Sequence, residues 1–209
     1  MKKILLIVLA AMPLVCSAQF KYKEVKDNQL YRSCIYKEAN KVYCEMGFLT
    51  HGKTEAQVLA VVEEQLGEGG KMLREPAKYT LVGKSDDMII YQISDELIFH
   101  RNFISSDVAQ MSGRLVIKVG NSAGVVRLDN IVYRIGTVDE QITGMPHEKW
   151  KSGYSVSDSG VEIVPAEELI ADDVALTKKG ELVRSLAKYR VKTIDYVSNI
   201  VETLHKQLK

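Results

Sequence analysis

The chain has little of what usually identifies a function. Its 209 residues include three cysteines, four histidines, four prolines and one tryptophan. It has no N-x-[ST] sequon, internal repeat or low-complexity tract. Neither sign of charge dominates, with 28 Lys+Arg against 27 Asp+Glu, so the basic excess of a nucleic-acid binder is missing and no nucleic-acid partner is expected. Beyond the N-terminus, no window approaches the roughly 20 consecutive apolar residues of a membrane-spanning helix, and no transmembrane segment is expected. His51, His100, His147 and His205 share no H-E-x-x-H or comparable ligand spacing, and the cysteines are too widely spaced for a zinc knuckle. No metal and no cofactor are therefore expected.

What is present begins with a leader. Residues 1–18 read Met-Lys-Lys, an apolar run from Ile4 to Ala11, Pro13, and the small pair Ser17-Ala18, the basic, apolar and small-residue regions of a secretory signal peptide. Cys16 raises lipoprotein anchoring, but Val15 stands where such sites require a small residue, so cleavage after Ala18 is expected and the protein is placed in the periplasm or outside the cell. Loss of Lys2 and Lys3 leaves 26 cations against 27 carboxylates, a net charge of −1. The organisation expected is a signal peptide over 1–18, an N-terminal hairpin extension over 19–40, and one domain over 41–209 with a long loop at 137–164.

Export sets Cys34 and Cys44 in an oxidising compartment. They flank Glu38-Ala39-Asn40 within two alternating, β-rich runs. A three-residue turn with Asn40 left-handed pairs Lys37 with Lys41, Tyr36 with Val42, Ile35 with Tyr43, and Cys34 with Cys44. The cysteines then face each other at a non-hydrogen-bonded site, where side chains come closest. A disulfide is expected, worth about 3 kcal/mol on the chain-entropy model.

Further along, Thr54 with Gln57 forms a capping-box pattern before Val58, Val61, Val62 and Leu66, which predicts a helix over 54–66 stopped by Gly67. Strands are predicted at Lys78–Val82, Met88–Ile93, Glu96–Phe103, Arg114–Val119 and Val125–Arg134. Pairing Val119 with Val126 and Ile117 with Leu128 keeps the last two strands' apolar side chains on one face, and a one-residue slip would not. After Pro165 a helix is predicted over about 166–177, and Ile194, Val197, Val201, Leu204 and Leu208 mark a final amphipathic helix. The order implies an α+β fold: a mainly antiparallel sheet with helices packed on one face.

The helix at 54–66, the meander through Arg114–Arg134, the run Ala166-Glu-Glu-Leu-Ile-Ala-Asp-Asp and the ending Tyr189-Arg-Val-Lys-Thr-Ile-Asp-Tyr-Val resemble a family of secreted Bacteroidetes proteins. That family is known only as a domain of unknown function with a TATA-binding-protein-like (TBP-like) fold. The resemblance covers roughly 41–136 and 165–208. It implies a curved antiparallel sheet backed by two helices. It implies no activity, and the fold's name does not imply DNA binding.

Gly120-Asn121-Ser122-Ala123-Gly124 fits the G-x-S-x-G pattern of serine hydrolases, but a nucleophile elbow joins a strand to a helix, and here a strand follows. Asp129, His147 and His205 are the acid and bases such a site would recruit. Gly83-Lys84-Ser85 lacks the upstream glycine of a phosphate loop, since position 78 is Lys78. The acidic pairs and the Arg190-x-Lys192 cations read as solvated surface. The first functional expectation is a non-enzymatic module that binds a protein, glycan or small ligand through the sheet's open face or the 137–164 loop. In that loop His147, Trp150 and Tyr154 are the candidate contacts. A serine hydrolase using Ser122 and a purely structural envelope protein are the alternatives.

Overall fold

The computed structural model describes residues 20–67, 70–72, 77–101, 106–135 and 162–209. His147, Trp150, Tyr154 and the signal peptide lie outside them. In chain order the elements are α1 (Tyr22–Val25), β1 (Ile35–Glu38), β2 (Lys41–Leu49), α2 (Glu55–Leu66), β3 (Lys78–Lys84), β4 (Met88–Arg101), β5 (Ser106–Val119), β6 (Ala123–Ile135), β7 (Glu162–Pro165), α3 (Asp172–Ala175) and α4 (Ala187–Leu208). The strands form one antiparallel sheet ordered β1-β2-β6-β5-β4-β3, and β7 continues beside β6 where β2 leaves off. β7 takes the last residues assigned to the 137–164 loop, and residues 136–161 are not described.

Alternation along the strands sends one set of side chains inward. Phe48, Ile93, Met111, Ile117, Leu128 and Tyr133 all bury on that face, against Val58, Val62 and Leu66 of α2 and Ile194, Val197, Ile200, Leu204 and Leu208 of α4. Ile200 rather than Val201 is the fully buried member of the α4 stripe. α2 starts as its sequence requires: Thr54 Oγ1 accepts from the Gln57 amide while the Gln57 side chain accepts from the Thr54 amide. Among the described residues no helix is long and apolar enough to cross a membrane.

The two hairpins differ from expectation in instructive ways. The β5–β6 turn is tighter than predicted, with Gly120 N–H donating to the Ala123 carbonyl at 2.9 Å. Val119 therefore pairs with Gly124, Ile117 with Val126 and Leu115 with Leu128. The slip of two preserves the buried face. At Gly124 a Cβ would fall 2.3 Å from Phe48 Cζ, so the absent side chain is what lets Phe48 cover the strand.

The β1–β2 turn has two residues, not three. Ala39 and Asn40 both take positive φ, 48° and 61°, as a type I′ turn requires. Glu38 then pairs with Lys41 and Ile35 with Cys44. The expected Cys34–Cys44 pairing is thus displaced by one residue. The Cys34 carbonyl instead accepts from the Glu45 amide at 3.0 Å, and Cys34 and Cys44 are both free thiols. The shift has a packing cause: it turns Ile35 and Cys44 inward to the core and stacks Tyr36 on Tyr43 outside.

The predicted helix over 166–177 is also broken up. A 3-10 turn at Ala166–Glu168 precedes the single turn of α3. Two side-chain demands interrupt it. Glu167 Oε1 accepts from the Val42 amide at 3.1 Å, and the Ile170 carbonyl accepts from Arg190 Nη1 at 2.7 Å. Arg190, expected at the surface, is 0% exposed. It also donates through Nε to the Tyr31 carbonyl at 2.7 Å and pairs with Asp172 at 2.8 Å. One guanidinium so ties the N-terminal extension and the α3 segment to α4.

Candidate functional site

α2 and α4 cover the inner face, which leaves the outward side chains of β1, β2, β6 and β5 to form the molecule's other surface. Tyr36 and Tyr43, cross-strand partners, stack with ring centres 5.4 Å apart and planes at 24°. Arg127, opposite Glu45 on the next strand, lays its guanidinium 3.6 Å from the centre of the Tyr43 ring. Stacking of this kind holds a cation over an aromatic face and rigidifies both. Arg127 also reaches Glu38 at 3.5 Å, Glu45 at 4.0 Å and Asp129 at 3.6 Å. Asp129 in turn accepts a fork from Arg114 Nε at 2.8 Å and Nη2 at 2.9 Å.

The result is a strip across four strands, Tyr36-Tyr43-Arg127-Asp129-Arg114. Its charges are internally paired with one negative charge in excess: two guanidinium groups meet three carboxylates. The Asp129 hydrogen bond holds the Arg114 guanidinium above its ordinary value. Burial first, then the nearby Cys34 and Glu45, push the Tyr36 phenol up, so at physiological pH it stays neutral and offers both a donor and an acceptor. Tyr36 is 48% exposed. Beside it, at the β1 edge, lies a cleft of about 230 Å³ lined by Ile35, Tyr36, Lys37, Val42, Ala171, Asp172 and Asp173. Lys37 bridges its rim to Asp173 at 2.9 Å and holds that carboxyl below the ordinary range.

A stacked aromatic pair flanked by mutually paired charges suits a polar, largely uncharged ligand. It suits a phosphate backbone poorly, because each arginine already faces carboxylates. Ser122 sits in the β5–β6 turn, where its carbonyl accepts from the Thr50 amide at 3.1 Å. Among the described residues no hydrogen bond joins its hydroxyl to a histidine or a carboxylate. Asp129 is engaged by arginine, and His205 meets His51. The fold thus brings neither Asp129 nor His205 to Ser122, and His147 lies outside the described residues. Gly83 and Lys84 end β3 with Ser85 just beyond it, and Lys84 pairs with Glu63.

The sequence matches no protein-family model and no curated protein. Among solved structures, a DUF4468 family protein from Bacteroides ovatus superposes with a TM-score of 0.67 at 20% identity, over 88% of this chain and 95% of that one. A TBP-like protein from Parabacteroides distasonis gives a TM-score of 0.53 at 12% identity, over 84% and 97% respectively. The fold is TBP-like. The TBP-like frame accounts for the helix-covered face of the sheet and for the face that no described helix covers. At these identities it carries nothing about the Tyr36–Arg114 strip, whose residues belong to this chain's own chemistry.

Neither tyrosine of the strip was singled out from sequence. Their signal lies in the alternation Ile35-Tyr36 and Tyr43-Cys44, which marks the tyrosines as outward once the turn is known to have two residues.

Proposed function

We propose that the protein is an exported, non-enzymatic recognition module of the cell envelope that binds a glycan on the Tyr36–Tyr43–Arg127 strip. The observation that carries the reading is the stacked tyrosine pair on the face that no described helix covers, with Tyr36 half-exposed and Tyr43 partly buried and braced by Arg127. Sugar rings pack their C–H faces on such aromatic platforms, while neighbouring carboxylates and phenols bond their hydroxyls. The N-terminal signal sequence supports export, and its removal should give a mature chain beginning at Gln19. Intact-mass measurement on protein from the native cell checks this; a mass retaining residues 1–18, or an acylated Cys16, contradicts it.

Binding is tested with a panel of soluble oligosaccharides, including chito- and malto-oligomers and muropeptides. At least one should bind the parent, and the Tyr36→Ala/Tyr43→Ala variant should bind it at least tenfold more weakly. Equal affinity in the folded double variant removes the strip from the account.

A further inference from the structure

His51 and His205 meet at the surface, where the segment after β2 faces the last turn of α4. His51 Nε2 and His205 Nδ1 are 3.0 Å apart. Their ring centres are 4.7 Å apart, with planes inclined at 54°. A straight N–H···N hydrogen bond of that length would set the centres about 5.3 Å apart, each nitrogen lying about 1.15 Å from its ring centre. The shorter separation means that the ring axes are inclined to the N···N line; inclined to the same side of it, they converge on a common point.

That is the arrangement of two ligands on one metal ion. With metal–nitrogen distances of about 2.0 Å, adjacent square-planar positions hold the nitrogens about 2.8 Å and the ring centres about 4.5 Å apart. Tetrahedral positions require about 3.3 Å and about 5.1 Å. The observed 3.0 and 4.7 Å lie between the two pairs, so the spacing admits either geometry. We propose that His51 and His205 form an open bis-imidazole site for a divalent transition metal, copper(II) first.

The order of affinities for nitrogen ligands favours copper(II) over nickel and zinc. The nearby Lys209 charge opposes a cation and sets a limit on affinity. No group of three or more metal-binding side chains occurs among the described residues. The remaining coordination positions are therefore left to water or to an exogenous ligand. The site sits apart from the tyrosine–arginine strip and does not depend on it.

The test uses untagged, metal-free protein titrated with copper(II) sulfate and followed by calorimetry and electron paramagnetic resonance. The expected result is one equivalent bound, with hyperfine structure from two imidazole nitrogens. His51→Ala and His205→Ala should each lower the affinity at least tenfold and remove one nitrogen, with unchanged circular dichroism. If the folded His51→Ala/His205→Ala variant binds copper as tightly as the parent, the metal lies elsewhere and the proposal is overturned. A parent that binds no copper overturns it equally.

Discussion

Ala39 pays for the position it holds. A left-handed conformation costs an L-residue about 1–2 kcal/mol, and Ala39, at φ 48°, has no side-chain group to offset it. Ala39→Gly should raise stability by about 0.5–1 kcal/mol after the extra chain entropy of glycine is subtracted. Urea unfolding at matched m-value measures it, and a loss of stability would mean that the turn is not type I′. The same turn governs the cysteines. Cys44 is 0% exposed, and burial pushes its thiol well above the ordinary value, so it should be inert in the native state. Titration of the denatured, unreduced mature chain should find two thiols, with Cys44 protected from alkylation until the chain unfolds. A single disulfide and no thiols would restore the register read from the sequence.

At the scale of elements, periodicity was legible and register was not. The capping box at Thr54 and the α4 stripe follow from spacing alone, because a helix repeats every 3.6 residues whatever it packs on. The β5–β6 pairing was right in its face and wrong by two residues, since alternation fixes parity but not turn length. At β1–β2 parity itself failed, because Tyr36, Val42 and Tyr43 are all acceptable in a strand and only the core distinguishes them. The helix expected after Pro165 dissolved into two turns for a reason no local window contains: its carbonyl at Ile170 serves Arg190, 20 residues away. Arg190 should therefore matter far more than its surface-like sequence setting suggests. Arg190→Leu leaves the Tyr31 and Ile170 carbonyls without their donor, at about 1–3 kcal/mol each. A loss of roughly 3 kcal/mol or more in chemical unfolding is expected, with earlier proteolysis of residues 20–34; a change below about 0.5 kcal/mol would remove Arg190 as the clasp.

For the whole molecule, the deciding asymmetry lies between the two faces of the sheet. One face carries both long helices and nearly all the apolar side chains, as the order of elements implied. The other carries the tyrosines and arginines whose meeting depends on which strands become neighbours. β6 lies between β2 and β5 although it is far from β2 in sequence. Tyr43 and Arg127 are brought together only by that placement, so the strip could not be read before the fold was known. The central claim is that this face is where the protein engages its ligand, and backbone-amide chemical-shift mapping during titration with the oligosaccharide that binds tests it most directly. The account predicts the largest shifts at Tyr36, Tyr43, Arg127 and their neighbours on β1, β2 and β6. Shifts confined to the α2–α4 face, or to Trp150 and its neighbours, would contradict it.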